Sequence, residues 1–128
     1  MAYVLAVLNI TVFRFGFRYA ERQINLALFS DLIDVWNNVG AGRFLWLFFG
    51  NIGWFVPFGF LLPILLQRKT LLKTVTLGLM FSLAIETMQF VFYKGVAELD
   101  DLILNTLGAA IGYLMYKLFC RVGLLKSS

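Results

Sequence analysis

Five side chains, Asn51, Glu86, Gln89, Asp101 and Asn105, have the chemistry to act in a setting where polar groups are expensive. Each stands inside, or at the end of, a long apolar run. A polar group placed in hydrocarbon needs either a partner or a task. The chemistry on offer is hydrogen bonding and the holding of a proton or cation through oxygen atoms. Glu86 is the most demanding of the five, because a carboxylate in lipid is costly unless it is protonated or paired. The chain has no His and a single Cys, so imidazole zinc sites, histidine bases and an intramolecular disulfide are excluded. No catalytic motif or activated nucleophile accompanies the carboxylates. We therefore expect no catalytic residue, metal ligand or cofactor. The enzyme alternative has Glu86 and Asp101 acting as acid and base, or holding a hard cation such as Mg²⁺.

The elements that must position these residues are membrane helices. Of the 128 residues, 61% are hydrophobic and 14% charged, where soluble domains carry about a quarter charged residues. The mean hydropathy is +0.84. Fourteen Phe, three Trp and five Tyr exceed what a soluble core of this size hides, and suit lipid-facing and interfacial surfaces. The net charge of +4 does not indicate nucleic acid, because the basic residues stand at the ends of apolar runs instead of in one block.

The predicted fold is all-α: an integral membrane bundle of about four hydrophobic helices plus an interfacial amphipathic helix, forming one domain over residues 1–128. The spans are about 1–19, 44–66, 71–93 and 102–120. The first apolar run, residues 1–13, reaches only about 20 Å and must be extended by Phe15, Phe17 and Tyr19, with Arg14 and Arg18 snorkelling. Residues 24–36 are amphipathic at helical spacing, with Trp36 as an interfacial anchor. Residues 44–66 are 23 residues without a charge, interrupted by Pro57 and Pro63. By the positive-inside rule, the Arg68 to Lys73 turn and the C-terminus are cytoplasmic, and the Lys94 to Asp101 loop is outside.

Antiparallel counting then groups the polar residues. Asn51 lies about seven residues in from the start of its span, and Glu86 about seven before the end of the next, so both sit roughly 10 Å below the same surface. Gln89 is one turn from Glu86, and Asp101 and Asn105 share a face at the start of the last span. Small residues (Thr74, Gly78 and Ser82 stepping toward Glu86 on the third span; Ala109 or Gly108, and Gly112, following Asn105 on the fourth) are expected to let those two helices approach closely. Glu86 should then face Asn105 or Asp101, with Asn51 completing the cluster. Plainer roles compete: Asp100 or Asp101 as a helix cap, Asn51 and Asn105 as interhelical bonds worth roughly 0.6 to 2 kcal/mol, and the glycines as packing.

Three ordered stretches, Asn51 to Pro63 (NIGWFVPFGFLLP), Ser82 to Gln89 (SLAIETMQ) and Asp100 to Tyr113 (DDLILNTLGAAIGY), resemble the VanZ-like family. Upstream, Asn25 to Asp31 (NLALFSD) is similar to the family's NLIPF-type segment, with Leu28 where the family usually has Pro. The resemblance implies a multi-pass bacterial cell-membrane protein related to a glycopeptide (teicoplanin) resistance protein, and supplies no reaction. It carries over Asn51, Pro57, Gly59, Glu86, Gln89, Asp101, Asn105 and Gly108. The expected partners are the lipid bilayer and an envelope lipid or cell-wall precursor, engaged at an outward-facing polar site. The alternatives are the membrane enzyme above and a structural or partner-binding subunit.

Overall fold

The computed structural model describes residues 1–9, 23–26, 29–66, 70–92 and 96–126. Among these, five helices occur in the order α1 (Ala2–Leu8), α2 (Ser30–Asn38), α3 (Ala41–Leu65), α4 (Leu71–Phe92) and α5 (Leu99–Arg121). Two three-residue strands, β1 (Gln23–Asn25) and β2 (Val96–Glu98), pair in parallel. The helices α3, α4 and α5, of 25, 22 and 23 residues, are long and apolar enough to cross a membrane. At 1.5 Å per residue each reaches past a hydrocarbon core of about 30 Å. The protein is an all-helical membrane bundle, as the composition requires.

Burial explains how the three long helices assemble. On α3 the buried residues are Ile52, Phe55, Gly59 and Pro63; on α4 they are Thr74, Gly78, Ser82, Ile85 and Glu86. These steps of three and four place each set on one stripe. Helix α5 buries eight residues, from Asp100 to Tyr116, against four on α3 and five on α4, so it is the central helix. The opposite faces carry exposed Trp46, Phe49, Leu61, Met80, Leu107 and Leu114, which suits lipid as solvent.

Glycines set the α3–α5 distance. A Cβ at Gly59 would overlap the Ala109 carbonyl oxygen, one at Gly108 the Ile52 carbonyl, and one at Gly112 the Val56 carbonyl. This corrects the sequence expectation that Gly108 and Gly112 serve the contact between α4 and α5. Because α5 is central, its small-residue stripe has two sides, and the glycines lie on the side facing α3. Helix α4 meets α5 at Ala109, the alternative to Gly108 in the sequence reading: a Cβ at Gly78 would stand 2.7 Å from the Ala109 methyl carbon.

Two boundaries also differ from the sequence reading. The amphipathic helix expected over residues 24–36 is α2, beginning only at Ser30. The chain before it pairs as β1, and Phe29 adopts a left-handed conformation (φ 55°) that a right-handed helix does not contain. Apolar spacing registers the face of a segment but not where its backbone donors are engaged. In α2, Leu32 is buried against Ile52 and Leu104, while Ile33 and Trp36 are more than half exposed. The first expected span, 1–19, contributes α1, and its remaining residues from 10 onward lie outside the described residues, as do 67–69 and 93–95 of the two expected turns. Within α1, Val7 is fully buried with Phe55, Ile85 and Ala109, and the Tyr3 hydroxyl donates to the Trp54 carbonyl. That carbonyl lies next to the one that Pro57 deprives of its helical donor, at Gly53.

Candidate functional site

One end of the bundle carries the polar residues, because the start of α5, the end of α4 and the first half of α3 meet there. The pairing of β1 with β2 places Asn25 opposite Glu98 and so carries the chain leading to α2 across the start of α5. Asp100 then receives the Phe29 N–H at 2.7 Å, across 71 residues of sequence. Asp101, on the next position, accepts a hydrogen bond from the Asn51 amide at 2.5 Å. Neither carboxylate caps its own helix; both are spent on neighbouring elements, although the first turn of α5 still favours negative charge there.

Glu86 is 5% exposed and reaches the same end from α4. Its Oε2 accepts the Glu98 backbone N–H at 2.9 Å, and among the described residues that is the one hydrogen bond this carboxyl receives. Asp101 and Glu98 both lie within electrostatic range of it. Asn105, also buried, donates to the Ser82 hydroxyl at 3.0 Å, one turn along α4 from Glu86. Gln89 lies one turn on from Glu86 in the other direction and is half-buried.

The five residues singled out from sequence therefore divide into contacts of different kinds. Asn51 and Asp101 bond to each other, and Asn105 bonds to Ser82. Glu86, which sequence counting has facing Asn105 or Asp101, hydrogen-bonds to the backbone of β2, with Asp101 within electrostatic range. Among the residues proposed to serve structure, Gly59, Gly78, Gly108 and Gly112 are buried in helix contacts, while Pro57 is exposed on the lipid side of α3. Two residues have roles that the sequence reading does not give them. Glu98 supplies the N–H for Glu86, and Asp100 anchors the start of α2. The Asp-Asp pair was a visible signal, but it points equally well to a helix cap. The role of Glu98 depends on a backbone hydrogen bond, which leaves no mark in residue type.

Two cavities flank this end of α5 and share Glu98. The first, of about 240 Å³, lies between α4 and α5 and is lined by Leu83, Glu86, Thr87, Phe90, Leu99 and Leu102, with Leu26 beside them. The second, of about 190 Å³, lies between α5, α3 and α2 and includes Asn51, Asp100 and Asp101. Every charged side chain among the described residues lining either cavity is acidic. No group of three Cys, Asp or Glu side chains among the described residues converges as a metal site.

The Asp100 contact makes an immediate prediction. Substituting Asp100→Ala leaves the Phe29 N–H without its acceptor, an expected cost of about 1–3 kcal/mol. Because the bond ties α2 to the bundle, the loss should be local. Hydrogen exchange in detergent should speed up in α2 and leave the centre of α5 unchanged.

Residues 1–120 match the VanZ/LLP1 family. The chain belongs to that family. Protein VanZ of Enterococcus faecium is 31% identical over 102 residues, which cover 80% of this chain and 57% of that protein. The chain thus spans little more than half the length of this curated relative. No solved structure matches. In the VanZ/LLP1 frame, the motif stretches quoted above are the parts that meet: SLAIETMQ supplies Glu86, DDLILNTLGAAIGY supplies Asp100, Asp101 and Asn105, and NIGWFVPFGFLLP supplies Asn51 and Gly59. From NLALFSD, Phe29 joins them through Asp100. Leu28, the departure from the family's Pro, lies outside the described residues.

Proposed function

We propose that this VanZ/LLP1 protein holds the head group of a cell-envelope lipid or lipid-linked precursor at the outer leaflet, in the polar end of its bundle. The observation that carries this reading is Glu86. It is nearly fully buried, lines an apolar cavity, and has carboxyl acceptor capacity left after its bond to Glu98. A helix-packing role would favour a residue whose polar atoms all meet neighbours, whereas the second carboxyl oxygen of Glu86 accepts no hydrogen bond from the described residues. The family takes its name from a glycopeptide (teicoplanin) resistance protein, which supports an envelope setting for the ligand.

Lipid analysis of the protein extracted in mild detergent tests this reading. The wild type should retain a lipid through repeated washing. The cavity-filling Thr87→Phe variant should lose it, because Thr87 lies on the cavity wall. Equal retention by both would place any held lipid elsewhere and remove the basis for the site.

The outward placement rests on the basic residues near Lys73 and at the C-terminus. In a Cys120→Ser background, an impermeant thiol reagent applied to intact cells should label Val39→Cys, at the polar end, and spare Thr70→Cys, at the start of α4. Both positions are exposed. The reverse pattern would put the polar end on the cytoplasmic side.

A further inference from the structure

Building on the lipid-holding reading, we infer that the cavity between α4 and α5 selects a lipid whose head group carries a primary ammonium, over one that presents only phosphate or a quaternary amine. Three observations lead there. First, the charged side chains lining the cavity among the described residues are Glu86 and Glu98, both acidic. A phosphate brought beside Glu86 either keeps its carboxyl neutral or meets like charge in a medium of low dielectric, whereas an ammonium meets opposite charge.

Second, Glu86 is 5% exposed, and its Oε1 accepts no hydrogen bond from the described residues. An ammonium beside the carboxyl pairs with it and so favours its ionised form, in which both oxygens are acceptors only, so the complement is a donor. A primary ammonium offers three N–H groups. A quaternary amine has the charge but no donor, so it cannot satisfy Oε1.

Third, the shape fits the junction between a small head group and a chain. Leu26 and Leu83, both more than half exposed, stand at the mouth, while Phe90, Leu99 and Leu102 continue the apolar wall. At about 240 Å³ the cavity is smaller than the roughly 300–1,000 Å³ of sites that enclose drug-sized molecules. That is room for an ethanolamine-sized group and the first part of a chain, and too little for a peptide-bearing sugar head.

Head-group competition in nanodiscs tests the inference directly. The full chain is placed in phosphatidylglycerol bilayers containing equal small amounts of phosphatidylethanolamine and phosphatidylcholine with matched chains. Native mass spectrometry then reads the retained lipid. Phosphatidylethanolamine should be retained about tenfold over both others, the preference one charge-assisted hydrogen bond supplies. That preference should collapse in Glu86→Gln and in Thr87→Phe, the latter keeping the test decisive if the former does not fold. Equal retention of phosphatidylcholine, or preference for phosphatidylglycerol, would overturn the selectivity while leaving a lipid site in place. Retention of no lipid from any mixture would overturn the lipid-holding reading itself.

Discussion

Gly59→Leu is expected to abolish the folded bundle. Gly59 is buried where α3 crosses α5, and even a single added carbon would overlap the Ala109 carbonyl oxygen. The obstacle is backbone, which cannot swing aside as a side chain does. Overpacking of a well-packed core typically costs about 1–3 kcal/mol. Here the two helices must separate along their whole contact, so the loss should reach or exceed the top of that range. Gly53→Leu on the same helix is the matched control, because a Cβ there meets nothing within 4 Å. Size-exclusion profiles of detergent-solubilised protein should show Gly59→Leu aggregated and Gly53→Leu monodisperse. If both behave alike, the α3–α5 crossing does not depend on Gly59.

The second large effect is expected at Asn51 and Asp101. Their 2.5 Å hydrogen bond joins α3 to the first turn of α5 at a part-buried site. Hydrogen bonds to charged groups contribute about 1.5–3 kcal/mol, and a buried acceptor left without its donor costs more than the loss of both partners. Asn51→Leu should therefore destabilise more than Asp101→Leu does in the Asn51→Leu background. A double-mutant cycle, read by thermal unfolding in one detergent, should return a coupling energy of about 1–3 kcal/mol. Additive single effects would show that the two side chains do not act together.

These contacts separate what sequence makes visible in such a protein from what it hides. Three of the spans were legible, because an apolar run of about 20 residues matches the length a helix needs to cross hydrocarbon, and counting along antiparallel helices brought Asn51 and Asp101, which bond to each other, to one end of the bundle. The partners were not. Small residues occur on α3, α4 and α5 alike, and nothing in their spacing states that Gly108 and Gly112 lie against α3. The acceptor for the Phe29 N–H is 71 residues away, and the donor to Glu86 is a backbone group of β2. Both depend on the β1–β2 pairing, three residues on each side. A pairing that short carries too little alternation to be told from the helical periodicity that continues into α2.

The same distinction bears on what the polar end is for. The Asn105 amide donates to the Ser82 hydroxyl and ties α5 to α4 as an internal fastening. Glu86 differs in lining a cavity, and among the described residues its carboxyl holds only the Glu98 N–H. Glutamine in its place keeps an oxygen for that N–H and nearly the same volume, and removes the negative charge. The measurement that bears most directly on a lipid-holding site is therefore the Glu86→Gln variant, assayed in one preparation for both melting temperature and retained lipid. A holding site requires the retained lipid to be lost while variant and wild type melt alike once both are stripped of lipid. A melting temperature several degrees lower, with lipid still retained by the folded fraction, would contradict it and leave Glu86 as a fastening between α4 and β2.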